Sequence, residues 1–307
     1  MPRKRNIDEL REKALKSARE GIKNAYASEE YALMQAINAY RETTRSYNLA
    51  FERLSEWYGI YFPEIKISNP DMLADLAIAL NTKGSVSKES IMAAVKDQER
   101  ADSIYAKATA TIGRSMNDEE KAALMSYAGM CKRMSEALVG IEEYLKVASK
   151  RILPNTTYLT DEKIAAELLA RAGSMERLAL MPASTVQLLG AEKALFKHIK
   201  FGSKPPKYGT LFKLPRITAA RRDLRGRYAR AYAAKIAIAL KADQFTKNFI
   251  AERLMADLEE SLKRIDGSPV REKPQRGQGF GGRFQRRPQG QHRMQGRKFG
   301  QQRHERA

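Results

Sequence analysis

Residues 124–152 read LMSYAGMCKRMSEALVGIEEYLKVASKRI, and this run decides the fold class. Apolar side chains recur at every seventh position, and a second apolar row follows three positions after each of them. This spacing is typical of a coiled-coil seam. The two rows are Leu124, Cys131, Leu138, Leu145 and Ile152, and Tyr127, Met134, Ile141 and Ala148. We therefore predict a long helix packed against the preceding helix in an antiparallel hairpin. A dimer seam through Leu138, Ile141 and Leu145 is expected on top of that hairpin.

The sequence on both sides of this run also predicts helices. Residues 7–58 are rich in strong helix formers, with Gly21 and Gly59 as the candidate breaks, and a second long helix is expected over residues 88–113. Asn117 and Glu120 have the spacing of a capping box at the start of the heptad helix. The chain is therefore expected to be all-α.

The charge of the chain is concentrated in two segments. The 307 residues include 56 Lys+Arg and 36 Asp+Glu, for a formal net charge of +20. Residues 184–250 hold 15 basic and 3 acidic residues, and residues 271–307 hold 11 basic and 2 acidic residues, so the remainder is nearly neutral. A general need for solubility would spread the charge evenly. The segregation therefore indicates a polyanionic partner, with nucleic acid the first candidate and an anionic membrane surface the second.

Few side chains could carry out catalysis. Cys131 is the only cysteine, which excludes an intrachain disulfide and a cysteine-based zinc site and fits a reducing compartment. His198 is the only histidine in a segment expected to fold, and we interpret it as a surface residue. No His-Glu-x-x-His or Gly-x-Ser-x-Gly motif occurs. We expect a non-enzymatic protein without catalytic residues, cofactor or metal. No apolar run approaches the roughly 20 residues of a membrane span, so we also expect a soluble, intracellular protein.

The helix predicted over residues 223–249 carries its positive charge along one edge. At about 100° per residue, Arg227, Arg230 and Lys241 lie on the same side of that helix. Its opposite side is apolar and is expected to be buried, with Tyr232, Ile236 and Leu240. A cationic edge on a rigid helix suits the phosphates of a folded nucleic acid.

Two more basic elements precede this helix. Gly190, Ala191, Glu192 and Lys193 open a helix whose backbone N–H groups and positive dipole end suit a phosphate, and Lys197 follows one turn later. The segment 204–209, KPPKYG, is a basic loop stiffened by two prolines. It contributes Lys204, Lys207 and Tyr208, whose ring could stack on a base. These elements together predict one composite RNA-binding surface.

The last segment, from Ser268 onward, consists of Gly, Gln, Arg and Pro with isolated Phe. This composition cannot bury enough apolar surface to fold, so we predict a disordered tail over residues 268–307. Arginines interleaved with aromatic residues indicate RNA contact with little sequence preference.

Several of these segments resemble the Nop domain, the RNA-binding module of the core scaffold proteins of box C/D ribonucleoproteins. The matching motifs are GSMERL (173–178), PASTVQLLGAEKALFKH (182–198), KPPKYG (204–209), RGRYAR (225–230) and ADQF (242–245). Upstream, ERLSEWYGIYFPE (52–64) and Ser115-Met116 are similar to the coiled-coil domain of the same family. The resemblance runs from about Tyr47 to Phe249.

The resemblance implies an all-helical scaffold in four parts: an N-terminal charged helix (1–46), a coiled-coil domain (47–172), a Nop domain (173–267) and the tail (268–307). It implies self-association, or pairing with a paralogue, through the coiled coil. It also implies binding of a kink-turn guide RNA already held by a small ribosomal-L7-like protein. Residues 190–193 would face both of these partners, and Arg225, Arg227, Arg230 and Lys241 would contact phosphates.

The sequence departs from the family pattern in two places. Tyr208 stands where the family usually has histidine, so a contact that needs an imidazole is not expected. Family members also carry an α/β domain before the coiled coil that holds the methylase fibrillarin, whereas only about 45 residues precede the match here. Direct binding of fibrillarin is therefore doubtful, and the splicing-factor branch, which assembles another kink-turn RNA, is the alternative. The family implies a cytoplasmic location in an archaeon and a nucleolar or nuclear one in a eukaryote.

Overall fold

The computed structural model describes residues 7–79 and 87–269. No strand occurs within these ranges, which confirms the all-α prediction. The α-helices are α1 (Ile7–Tyr26), α2 (Glu29–Tyr58), α3 (Pro70–Ala79), α4 (Lys88–Val95), α5 (Gln98–Thr109), α6 (Asp118–Ile152), α7 (Pro154–Leu159), α8 (Glu162–Ala172), α9 (Met175–Leu180), α10 (Ala183–Leu188), α11 (Glu192–Phe201), α12 (Pro215–Ala219), α13 (Arg225–Lys241) and α14 (Ala251–Asp266). A 3-10 helix at Thr210–Lys213 and a π-helix at Ala242–Thr246 complete the set. No helix in the described ranges is both long and apolar enough to cross a bilayer. The predicted tail lies almost entirely outside the described residues.

The N-terminal helix predicted over residues 7–58 is in fact two helices. Ser28 has an extended backbone, and its hydroxyl oxygen accepts a hydrogen bond from the backbone N–H of Glu30 at 3.5 Å. A serine side chain can accept a hydrogen bond from an otherwise unpaired backbone N–H at the start of a helix. This explains why the break between the two helices falls at Ser28 and not at Gly21. Gly59 ends α2 as expected. The predicted boundary at residue 46 lies inside α2.

The single helix predicted over residues 88–113 is also divided. Lys96 has a left-handed backbone with φ of 58° and ends α4. Asp97 then begins α5, because its carboxylate accepts the backbone N–H of Arg100 at 2.9 Å. The prediction failed because a capping aspartate inside a helix-forming stretch stabilises a new helix start.

The heptad helix α6 begins at the predicted capping box. The side chain of Asn117 accepts the N–H of Glu120 at 2.7 Å, and the Glu120 carboxylate accepts the N–H of Asn117 at 3.2 Å. The predicted packing partner was wrong, because α6 packs mainly against α2 and α3 and not against the preceding helix α5. At 1.5 Å per residue, α2 is about 45 Å long and can line much of α6, whereas α5 reaches only about 18 Å.

The α2–α6 pair runs through two apolar cores. The first core joins Leu33 of α2 and Leu145 of α6 to α8, α13 and α14. The second joins Leu54 of α2 and Leu124 of α6 to α3, α4 and α5. Both helices therefore act as a shared spine of the fold.

The residues predicted to form a dimer seam differ in exposure. Leu145 is fully buried within the single chain, so it cannot contact a second copy, which corrects the sequence-based expectation. Leu138 and Ile141 are half-buried. The large exposed apolar side chains of α6 are Val139, Tyr144 and Val147. Self-association stays a prediction, and we expect a second copy to meet this outer face instead.

A buried carboxylate connects α13 to the spine. Asp243 lies in the π-helix after α13 and is 1% exposed. It accepts hydrogen bonds from the backbone N–H and side-chain amide of Asn155, at 2.9 and 2.8 Å. It also accepts from the backbone N–H and hydroxyl of Thr156, at 3.0 and 2.7 Å. Asn155 and Thr156 lie in the first turn of α7, so the negative charge also meets a positive helix end.

We expect Asp243→Asn to lower the free energy of unfolding by about 3 kcal/mol. The substitution removes the negative charge and points the new side-chain NH2 group at the hydrogen-bond donors of Asn155 or Thr156. Urea unfolding of the two proteins measures this. Asp223→Asn is the matched control, because Asp223 is exposed and only its 3.5 Å contact with Arg221 is lost. A loss no larger in Asp243→Asn than in the control would contradict the role assigned to this carboxylate.

Candidate nucleic-acid interface

The outer edge of α13 is cationic, as the sequence predicted. Arg227, Arg230 and Lys241 are exposed, and within the described residues no carboxylate pairs with them. The small Ala234 and the exposed Ile238 lie between them on the same edge. The predicted apolar face is buried, with Tyr232, Ile236 and Leu240 each at most 4% exposed. Burial of one face fixes the opposite face, so the three cations form a rigid row.

The basic loop over residues 204–209 lies beside the start of α13. The aliphatic stem of Lys207 passes over Gly226, where an added Cβ would lie 3.5 Å from it. The loop is also fastened to the end of α10, because Gln187 donates its side-chain amide to the Lys207 carbonyl at 2.6 Å. The backbone N–H of Gly209 donates to the Gln187 carbonyl at 2.9 Å. Lys207 thus lies beside the start of α13, and Lys204 of the same loop is exposed.

Tyr208 and Arg225 are held by the protein more firmly than the sequence indicated. The ring of Tyr208 stacks on that of Phe212, with centroids 4.5 Å apart and an interplanar angle of 10°. Arg225 donates hydrogen bonds to the carbonyls of Ala220 and Thr218, at 3.0 and 2.7 Å, and its guanidinium lies 5.6 Å from the Phe212 ring. Arg225 therefore braces the start of α13, and its contact with a phosphate stays a prediction. Tyr208 has one ring face already covered.

The turn at residues 189–192 places the start of α11. Gly190 has φ of +96°, and a Cβ there would come within 2.4 Å of the Thr210 hydroxyl, so only glycine fits. The carboxylate of Glu192 accepts the N–H of Gly190 at 2.6 Å and lies 3.6 Å from Arg171. Glu192 thus fastens the turn, and its carboxylate occupies the N–H group of Gly190, one of the groups expected to meet a phosphate. The predicted contact of Glu192 with RNA stays a prediction.

A buried glutamate anchors this turn and the neighbouring 3-10 helix. Glu167 is 3% exposed, and its carboxylate accepts from Arg171 at 2.8 Å and from Lys213. Burial alone would raise the pKa of Glu167, but the cations of Lys213 and Arg171 outweigh that effect and lower it. Arg171 therefore links the buried Glu167 to Glu192 in the turn.

Helix α11 projects from the surface, since none of its residues is buried. Lys193 and Lys197 are exposed as predicted, and Ala191 precedes them at the helix start. Sequence reasoning missed the apolar side chains beside them. Phe196, Ile199 and Phe201 are 72%, 71% and 71% exposed. The sequence signal for this apolar surface was the three-residue spacing of Phe196 and Ile199. Such spacing usually indicates a helix face that is buried in the core, so it does not by itself predict an exposed surface.

The polar side chains near this surface are cationic, amide or hydroxyl groups for the most part. Among the described residues, no group of three His, Cys, Asp or Glu side chains is arranged to hold a metal ion. The nitrogen Nδ1 of His198 contacts the carbonyl of Ser203. The arrangement of cationic edge, basic loop and projecting helix can bind a polyanion and an apolar surface.

Comparison with known proteins gives consistent matches. The family model described as "Nop: snoRNA binding domain, fibrillarin" matches residues 39–264. An uncharacterised NOP5 family protein of Methanocaldococcus jannaschii is 32% identical over 85% of this chain and 64% of its own length. Nucleolar protein 56 of Dictyostelium discoideum is 34% identical over 70% of this chain and 41% of its own length. Nucleolar protein 58 of Candida glabrata is 33% identical over 79% of this chain and 48% of its own. The chain thus spans about half the length of these relatives.

Among solved structures, the crystal structure of a fibrillarin/Nop5p complex contains a similar chain. It is 24% identical, with a TM-score of 0.47, and the match covers 84% of this chain and 78% of that chain.

We expect Glu167→Gln to lower the free energy of unfolding by about 2 kcal/mol at pH 7, because it weakens three charge-assisted hydrogen bonds, two from Arg171 and one from Lys213. The folded-state pKa of Glu167 is lowered, so its contribution is complete above the unfolded pKa of about 4.3 and is lost as the pH falls through the folded value. The difference between the two proteins should therefore shrink below about pH 4.

Urea unfolding at pH 7 and at a pH below the folded pKa of Glu167 measures this difference. Glu136→Gln on the exposed side of α6 is the control, since it removes one carboxylate without a buried ion pair. A difference between wild type and Glu167→Gln that stays constant with pH would contradict the assigned ion pairs.

Proposed function

The chain belongs to the Nop family, and we propose that it is a non-catalytic scaffold of a box C/D-type ribonucleoprotein. In this proposal it binds a kink-turn RNA together with a small ribosomal-L7-like protein, in guide-directed methylation or processing of ribosomal RNA. The observation that carries the proposal is the row of unpaired cations along α13, next to Lys207 of the basic loop.

The row of cations favours an RNA with a defined shape. Arg227 and Lys241 are separated by about 21 Å along a helix whose other face is buried, so their spacing is fixed. An RNA whose phosphates already match this spacing binds with a lower cost of ordering than a flexible strand. Each cation that meets a phosphate releases counterions and adds affinity that falls with salt. A kink in the RNA backbone brings phosphates into a fixed pattern that a rigid row can match. The proposal assigns Arg227, Arg230 and Lys241 one phosphate each.

The projecting helix α11 suits a second partner. Its exposed Phe196 and Ile199 offer apolar surface, and Lys193 and Lys197 on the same helix offer charge. RNA alone would leave much of the apolar surface in water, whereas a small protein seated on RNA presents both kinds of surface at once. We therefore assign α11 to the junction of the RNA and the small kink-turn-binding protein.

Replacement of one cation on α13 should remove one phosphate contact. We expect Arg230→Ala to flatten the log-log dependence of RNA affinity on salt by about 0.7–0.9 units. The loss of affinity should be larger for kink-turn RNA than for a scrambled RNA of equal length. Titrations at several salt concentrations measure both effects.

Arg253→Ala is the matched control for this experiment, because Arg253 is an exposed arginine of α14 outside the row. If Arg230→Ala and Arg253→Ala change the affinity for both RNAs by equal factors, the row on α13 does not recognise the kink-turn, and the central part of the proposal is wrong.

The role of α11 predicts dependence on the second protein. Phe196→Ala should weaken the ternary complex by about tenfold or more, since exposed aromatic side chains often dominate an interface, and should leave binding to RNA alone nearly unchanged. Gel shifts with and without the small protein separate the two cases. Ile112→Ala, which truncates another highly exposed apolar side chain (88%), is the control. Equal effects of the two substitutions would remove α11 from the interface.

A further inference from the structure

A groove of about 430 Å³ lies in the second core, apart from the surface described above. It is formed by the segment before α3 and by one face of α5, and we call it the α5 groove. Its apolar floor includes Met72 and Ile104, and the cations at its rim are Lys66, Arg100 and Lys107. Within the described residues, no carboxylate lines it.

The three cations at the rim are available to a ligand. Lys66, Arg100 and Lys107 are exposed, and no ion pair involving them occurs among the described residues. Two acidic side chains belong to α5, and neither Glu99 nor Asp102 is among the residues that line the groove. Asp102 lies on the opposite side of the helix and pairs with Lys88 at 2.6 Å, and Asp97 caps the helix start. Positive charge is thus concentrated at the groove in a part of the chain that is otherwise nearly neutral.

The arrangement of α5 gives this charge a regular spacing. Residues 100, 103, 104 and 107 follow one another at intervals of three, one and three, so they lie on one helical face. Arg100 and Lys107 are about 10 Å apart along the helix axis, and Ser103 places a hydroxyl between them. At about 3.4 Å per nucleotide of a stacked strand, this distance corresponds to about three nucleotides.

We propose that the α5 groove is a second RNA contact, which binds the phosphates of a strand that continues beyond the kink-turn motif. Phosphate oxygens would meet Lys66, Arg100 and Lys107, and the hydroxyl of Ser103 would donate to the same backbone. The floor of Met72 and Ile104 would carry the apolar side of a ribose or base. This inference rests on the proposed function, since it needs an RNA held by the same chain.

The test compares the full chain with two triple variants. In the groove variant Lys66→Gln, Arg100→Gln and Lys107→Gln are combined. In the control variant Lys96→Gln, Lys121→Gln and Arg133→Gln remove the same charge from the same helical region outside the groove, where these cations have no ion pair among the described residues. The RNA probes are a kink-turn RNA alone and the same RNA with a single-stranded extension.

We expect the groove variant to flatten the salt dependence for the extended RNA by about two units and the control variant to leave it nearly unchanged. Both variants should bind the unextended kink-turn RNA as the wild type does. Photocrosslinking of thiouridine in the extension to wild type should label peptides from residues 66–72 or 100–107. This second readout does not depend on the folding of a variant.

Equal behaviour of the groove and control variants on the extended RNA, or crosslinks only outside these peptides, would overturn the inference. A nucleoside triphosphate is a further probe. If it binds the wild type but not the groove variant, and both proteins bind the extended RNA with equal affinity, the groove is a nucleotide site and the inference is wrong. A wild type without preference for kink-turn RNA would contradict the proposed function instead. In that case the comparison of the groove and control variants on the extended RNA would still test whether the α5 groove binds RNA.

Discussion

The buried carboxylate of Asp243 fastens the C-terminal end of the cationic helix α13 to α7. Four donors from Asn155 and Thr156 surround it, and both residues lie in the first turn of α7, directly after the long helix α6. A charge with almost no exposure is tolerated only when it is this well hydrogen-bonded. The constraint fixes where α13 ends relative to the spine, and so it fixes the direction in which the row of cations points.

The spine itself explains how one chain can present separate binding surfaces. Because α2 and α6 pass through both apolar cores, each core fixes a different face of the protein to the same two helices. The first core positions α13, and the second positions α5 and the groove beside it. Both surfaces therefore belong to one compact unit of the chain. Multiple weak contacts on one body raise the overall affinity because the second contact is made at high effective concentration.

The sequence predicted the features that depend on local periodicity and missed those that depend on packing. The capping box at Asn117 and the row of Arg227, Arg230 and Lys241 were predictable, because spacing along one helix determines them. The partner of α6 was not, because heptads show that a seam exists without showing which helix fills it. The contacts that Arg225 and Glu192 make within the chain were hidden for a similar reason. A charged side chain in a basic segment can meet a ligand or a nearby carbonyl, and only the folded chain decides which.

The projecting helix α11 raises an energetic question that its sequence alone does not. Leaving Phe196, Ile199 and Phe201 largely exposed forgoes the free energy that burial of each side chain would supply, about 1.5–3 kcal/mol apiece. The Glu167–Arg171–Glu192 chain of charges and the positive φ of Gly190 nevertheless hold the start of this helix in a defined position. A fold that fixes an apolar helix in water, with lysines on the same surface, has placed it for a partner with both apolar and anionic character. An RNA alone would offer anionic groups but little apolar surface, so the apolar side chains of α11 favour a partner that includes a protein.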